Sequence, residues 1–390
     1  MKRILSASWL LLGALGSVAT AAEAPPSDHP GRALYQQHCS TCHDHPVETK
    51  SVPFETLRGT RYVTLHYALT RGKMKGQASP MNEAQIGQLL DYVVGRQVVD
   101  DGWIARMQCN ADRRTPKLDA KPTIAHFGFD ARNSRALTAS QSGLSTADLR
   151  TLEPAWALAF PGITTMRAQP AIVGDTLFLN VGDNARVFAL DIAGDAPCVQ
   201  WTYSSDVPTR SGIGFGTMPG TGRKLIVFND VATQIHLVDA VTGKGLWKQH
   251  VGLYDLSNTT GTPMIVGDRV YVPLSASEIN VGGDDRHLCC KTHGGFLALD
   301  LRTGRKLWTY HTMPDAKPIR DRGDGQMMWG PSGAPIWTSP LIDEKRGLVY
   351  VGTGEATSAP AAPTTDSILA LDLKTGRLRW KYQATPDDIF

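Results

Sequence analysis

A short pattern recurs through the second two-thirds of this chain and limits what it can fold into. Phe188-Ala189-Leu190-Asp191 runs on to Trp201, and Leu237-Val238-Asp239-Ala240-Val241-Thr242-Gly243 runs on to Trp247. Leu297-Ala298-Leu299-Asp300-Leu301-Arg302-Thr303-Gly304 leads to Trp308. Leu369-Ala370-Leu371-Asp372-Leu373-Lys374-Thr375-Gly376 leads to Trp380. The four aspartates lie 48, 61 and 72 positions apart. In each unit an apolar strand meets Asp-x-x-Thr-Gly or a near match, where glycine can take the positive φ of a tight hairpin. The returning strand alternates, with Leu378, Trp380 and Tyr382 on one face and Arg377, Arg379 and Lys381 on the other. One four-stranded sheet cannot bury such tryptophans, whereas sheets stacked in a ring wedge each against its neighbour. The pattern therefore predicts an all-β propeller over residues 125–390, rather than a β-sandwich or β-helix.

The rest of the chain sets the context. Gly (38) and Pro (24) make up about 16% of the 390 residues, which suits short strands and many turns. Lys2 and Arg3 precede an uncharged, mostly apolar run from Ile4 to Val18, followed by Ala19-Thr20-Ala21 and Ala22-Glu23-Ala24. This reads as a cleaved export signal over residues 1–22, because the run is shorter than the roughly 20 residues a spanning helix needs. The rival reading is a retained anchor. Removing the two basic residues from a net charge of +3 leaves a nearly neutral chain with no basic, aromatic-interleaved patch, so nucleic acid is not an expected partner. A periplasmic location follows, with no membrane span in the mature chain.

Six cysteines in an exported protein should be oxidised or occupied. Cys39-Ser40-Thr41-Cys42-His43 is a CxxCH box: two thiols can add to the vinyl groups of a haem, and the adjacent imidazole can ligate its iron. Zinc is disfavoured because no second CxxC or HxxxH pair lies within reach. Cys109, Cys198, Cys289 and Cys290 remain. The adjacent pair can close a small ring or pair elsewhere, and sequence leaves the connectivity open.

Residues 28–108 read as a small all-α module. Gly31, Leu34 and Tyr35 share one side of a helix entering the haem box. Ile86, Leu89, Leu90 and Val93 recur at helical spacing after an Asn82 N-cap. The module resembles a class I cytochrome c, which implies covalent haem c on Cys39 and Cys42 with His43 on the iron. By the same resemblance the sixth ligand is Met74, in Gly72-Lys73-Met74-Lys75-Gly76-Gln77-Ala78, with Met81 as the competing choice. Residues 109–124 read as a linker.

The Ala-Leu-Asp-x-x-Thr-Gly-x-x-x-Trp repeat resembles that of the pyrroloquinoline quinone (PQQ) dehydrogenases, which are eight-bladed propellers. Several segments are similar, more narrowly, to quinohaemoproteins of the polyvinyl alcohol dehydrogenase kind. They are residues 128–135, Trp156-Ala157-Leu158-Ala159-Phe160-Pro161-Gly162 with Gln169-Pro170, Cys289-Cys290, and Gly330-Pro331-Ser332-Gly333-Ala334-Pro335-Ile336-Trp337. The resemblance implies PQQ and Ca²⁺ as cofactors. It places Trp337 as the floor under the quinone, Cys289-Cys290 as the opposite wall in the form of a vicinal disulfide, and Arg210 on a quinone carboxylate. Glu278 and Glu355 fall at calcium positions, where hard oxygen donors suit the ion. Asp388 falls where the family has its general base. Thr209, Ser277 and Thr338 are further polar candidates.

The activity implied is oxidation of a secondary alcohol, polyvinyl alcohol or another, with electrons passing to the haem and then to a cytochrome or respiratory-chain acceptor. Two other readings stand beside it: a non-enzymatic binding propeller fused to an electron carrier, or an inactive remnant of the enzyme. Only four Thr-Gly/Trp hairpins or near matches, with strands enough for a fifth blade, are visible before Phe390. The expectation is a truncated ring of about four to five of eight blades.

Overall fold

Four antiparallel sheets follow one another along the chain in the computed structural model. It describes residues 27–60, 62–70, 73–95, 102–160, 163, 166–182, 185–205, 207–280 and 287–389. The export signal expected over 1–22 lies outside the described residues, as do Gly72, Pro161 and Gly162 of the quoted segments. The first sheet runs Ala171–Val173, Thr176–Val181, Arg186–Asp191, Cys198–Ser204, with Pro122–Ile124 added at its inner end. The second runs Gly214–Thr217, Lys224–Asn229, Gln234–Asp239, Gly245–His250. In the third, Met264–Val266, Arg269–Ala276, Gly295–Asp300 and Lys306–His311 form the meander. The fourth comprises Leu341–Asp343, Leu348–Gly352, Ser367–Asp372 and Leu378–Gln383.

The strands carry unbroken apolar runs because both faces are buried, each in a different core. Leu225 and Val227 of the second sheet pack with Val270, Val272, Leu297 and Leu299 of the third. Their neighbours Ile226 and Phe228 point the other way, to Phe178, Val187 and Ala189 of the first. Tyr271, Phe296 and Ala298 of the third sheet meet Val349, Val351, Leu369 and Leu371 of the fourth. Face-to-face packing of consecutive sheets is the arrangement of propeller blades.

The repeat also explains how neighbours lock. Ala189↔Trp201, Leu237↔Trp247, Ala298↔Trp308 and Ala370↔Trp380 are paired positions, each followed by a register shift. The turn glycines Gly243, Gly304 and Gly376 have φ of 70°, 71° and 72°. A Cβ on them would come within 2.7, 3.0 and 2.4 Å of the rings of Trp201, Trp247 and Trp308, the tryptophans of the preceding sheets. Trp201 and Trp247 also donate Nε1–H to the carbonyls of Ala240 and Leu301 in the same turns. At the third junction the Tyr271 hydroxyl donates to the Leu373 carbonyl, and Trp308 Nε1 has no partner among the described residues.

Residues 109–124, expected as a linker, are instead docked on the first sheet. Cys109 is disulfide-bonded to Cys198, Arg113 pairs with Asp191, and Leu118 is buried in the core between the first and second sheets. The short helix Gly102–Arg106 joins them: Trp103 meets Phe160 edge-on and stacks on Phe188, at centroid distances of 5.8 and 5.7 Å. Apolar burial and the disulfide make this stretch part of the sheet assembly.

Upstream is a helical cluster. Helix Pro30–His38 crosses Glu83–Val93 at Gly31, where any Cβ would meet the Gln88 carbonyl. Asn82 caps the second helix through a reciprocal capping box with Gln85. Tyr35, Leu65, Met81, Ile86, Leu89 and Leu90 form its core. Among the described residues no helix is long and apolar enough to cross a membrane.

Candidate functional site

A cavity of about 500 Å³ opens among the loops that precede and follow the inner strands. Arg210 and Trp337, 127 positions apart, both line it. Trp337 stands outside the repeat and is 58% exposed, so its indole is not an inter-sheet wedge but a free apolar face on the cavity. Arg135 and Arg167 line the same space. Arg135 is steadied by Asn133 Oδ1 at 3.1 Å and lies over the Phe127 ring at 5.4 Å. A wall that offers one indole face and three guanidinium groups suits a flat, multiply anionic ligand.

A second group of candidates converges around strand Met327–Gly330. Cys289 and Cys290 are disulfide-bonded to each other, with a cis peptide between them. Cys290 donates its backbone N–H to the Trp329 carbonyl, and Trp329 returns one to the Cys289 carbonyl. Glu278 sits under this loop, 2% exposed. Its Oε2 accepts from Lys291 N at 2.7 Å, Thr292 N at 2.6 Å and Thr292 Oγ1 at 2.8 Å, while Oε1 meets His287 Nε2 at 2.8 Å. Oε2 is therefore saturated, and only Oε1 retains capacity for a cation. Neither the cysteine pair nor Glu278 lines the cavity itself.

A third group is acidic. Gly354 lies against Trp337, its Cβ position 3.5 Å from the indole nitrogen, which sets Glu355 next to the cavity floor. Ala356 N donates to the Asp388 carbonyl, bringing the 387–389 segment alongside. Between them stands Asp366, at φ 48°. Burial, then the charges of Asp388 and Glu355, push its carboxyl above the ordinary range. Asp366 Oδ2 is buried without a hydrogen-bond partner among the described residues. An orphaned buried oxygen between two further carboxylates fits a bound cation. Sequence reasoning selected Glu355 and Asp388 but missed Asp366, Arg135 and Arg167. Arg135 at least closes the Gly128–Arg135 segment singled out by resemblance.

In the helical cluster, Cys39 and Cys42 are not disulfide-bonded. Burial, then Asp44 and Cys42, push the Cys39 thiol up to about 11. His43 Nδ1 lies 2.6 Å from the Val52 carbonyl, a contact that suits the Nδ1–H tautomer, in which Nε2 offers its lone pair. Cys39 and Met74 both pack at the border of the core, whereas Met81 is buried within it. Free thiols, an oriented imidazole and a bordering thioether fit a covalently attached haem.

A family profile described as PQQ, "Glucose/ethanol/alcohol dehydrogenase, beta-propeller domain" matches residues 126–390, and the chain belongs to that family. Among curated relatives, a polyvinylalcohol dehydrogenase of Pseudomonas sp. is 32% identical over 97% of this chain and 60% of the relative. One of Sphingopyxis sp. (strain 113P3) is 30% identical over 99% of this chain and 62% of its own length. The chain thus spans about three-fifths of the length of these relatives. A solved europium-containing methanol dehydrogenase shares the fold, with a TM-score of 0.53 at 21% identity over 74% of this chain and 51% of that one.

Proposed function

We propose that this chain acts as an exported quinohaemoprotein alcohol dehydrogenase that oxidises a secondary alcohol of the polyvinyl alcohol type. On this reading residues 28–108 are a haem c module, the sheets are part of a PQQ propeller, and residues 1–22 direct the protein to the periplasm. A cytochrome or respiratory-chain component takes the electrons onward. The observation that carries the reading is the convergence of Trp337 with Arg210, Arg135 and Arg167 on one cavity.

When bound, the quinone supplies a hydride acceptor, calcium a Lewis acid and haem a one-electron relay. The arginines hold the quinone carboxylates, and the Trp337 face orients the ring plane. The Cys289-Cys290 pair is stapled by Trp329 and by Glu278 through Lys291 and Thr292, and to serve as the opposing wall it would have to turn toward the cavity, whose lining it does not join. Glu355 and Asp366 would provide oxygens for calcium, and Glu278 Oε1, now paired with His287, would be a further donor. Asp388 accepts the proton of the alcohol hydroxyl. In the helical module Cys39 and Cys42 would tether haem, and His43 and Met74 would ligate its iron.

The test is reconstitution of the full chain with PQQ and Ca²⁺, addition of a secondary alcohol, and optical detection of haem reduction. Reduction that requires both cofactors supports the proposal, as does a loss of PQQ affinity of roughly tenfold or more in Arg210→Ala. PQQ binding unaffected by both Arg210→Ala and Trp337→Ala would reject this cavity as the quinone site.

A further inference from the structure

Away from the residues assigned to quinone, calcium and haem, four side chains from three segments meet at one end of the third sheet. His293 comes just before strand Gly295–Asp300, His311 ends strand Lys306–His311, and Asp315 follows it. Tyr254 arrives from the segment after Gly245–His250.

His293 is 1% exposed. Its Nδ1 lies 2.7 Å from the Gly294 carbonyl, so in the Nδ1–H tautomer Nε2 offers its lone pair to a metal. That Nε2 lies 3.4 Å from His311 Nδ1 and 3.6 Å from Asp315 Oδ1. A tetrahedral zinc ion with bonds of about 2.0–2.1 Å holds its ligand atoms roughly 3.3–3.4 Å apart. Both spacings match that edge closely, and all three ligand atoms lie within 4.8 Å of one another. The Tyr254 hydroxyl, 2.6 Å from His293 Nε2 and hydrogen-bonded to Asp315, gathers the ligand atoms around itself.

We propose that His293, His311 and Asp315 bind a divalent transition-metal ion, zinc by the nature of the ligands, with water or the Tyr254 oxygen in the fourth position. Two imidazoles and one carboxylate favour zinc over calcium, which takes six to eight oxygens. The Asp315 side chain is 80% exposed and His311 is also exposed, so the ion has an entry path from solvent. The buried ligand adjoins Thr292, whose N–H and hydroxyl hold Glu278 and whose carbonyl accepts from Gly333. The ion therefore joins the segment that follows Cys289-Cys290 to the adjoining end of strand Lys306–His311 and acts as a structural tie.

The full chain, stripped with chelator and dialysed against micromolar zinc with Ca²⁺ held constant, is analysed for bound metal by atomic emission. The expected result is one zinc per chain, with the unfolding temperature raised by zinc. His311→Ala and Asp315→Asn, both at exposed positions, should each weaken that binding by roughly tenfold or more while leaving the zinc-free unfolding temperature unchanged. Failure of the parent chain to retain zinc would overturn the proposal. So would retention of zinc by both variants at parental affinity, which would place the ion on other histidines.

Discussion

The first three sheets and the fourth are built from the same repeat but are sealed differently. Trp201, Trp247 and Trp308 are each covered by the Thr-Gly turn of the sheet that follows, glycine against indole. In the fourth sheet Trp380 is 45% exposed and Tyr382 63% exposed. The same side chain is a wedge in one setting and a surface group in the other. A tryptophan of this repeat thus contributes stability through the sheet that follows it, not through its own.

The sharpest way to break this comparison is to truncate one tryptophan of each kind. Trp247→Ala removes a ring packed on Gly304 and its bond to the Leu301 carbonyl, and should cost about 3 kcal/mol in denaturant unfolding. Trp380→Ala should cost about 1 kcal/mol or less. Equal losses would refute the stacking account. A smaller effect separates backbone strain from ring contact. Gly243→Ala and Gly267→Ala both force a side chain onto positive φ (70° and 59°), but only Gly243 faces an indole, at 2.7 Å. Strain alone costs about 1–2 kcal/mol, and the clash should add about 1–3 kcal/mol for Gly243→Ala, readable as a larger drop in Tm.

The smallest expected effect concerns pH. The Thr303 and Thr375 hydroxyls, hydrogen-bonded to Asp300 and Asp372, hold both carboxyls below the usual range. A depressed folded pKa adds stability above the unfolded value of about 3.9, and that stability is lost as pH falls through the folded value. The stability deficit of Asp300→Asn should therefore be constant near neutrality and shrink below about pH 4 in thermal melts. A deficit that grows on acidification would contradict the turn chemistry.

Much of this fold is legible in the residues because the repeat is local. Asp, Thr, Gly and Trp lie within about a dozen positions, and each acts through hairpin geometry that sequence spacing displays. The second role of the turn glycine, making room for the neighbouring ring, needs two sheets and is invisible in one. The site is legible only in part, for the same reason. Trp337 and Arg210 carry a recognisable context, whereas Asp366 and Arg167 acquire meaning only when loops far apart in sequence fold beside them. The docking of residues 109–124 is not legible in the sequence because a polar, irregular stretch gives no periodic signal. It is the partner of Cys109, 89 positions away, that docks it.

That crosslink shortens the leash on the helical cluster. Helix Glu83–Val93 ends fourteen steps before Met107, whose carbonyl is already bonded to Val199 of the first sheet. Even fully drawn out, fourteen residues reach no farther than about 50 Å. Anything the cluster carries is confined near the sheets at an effective concentration in the millimolar range. Exchange between the two regions is then a unimolecular event, with a rate indifferent to dilution of the protein.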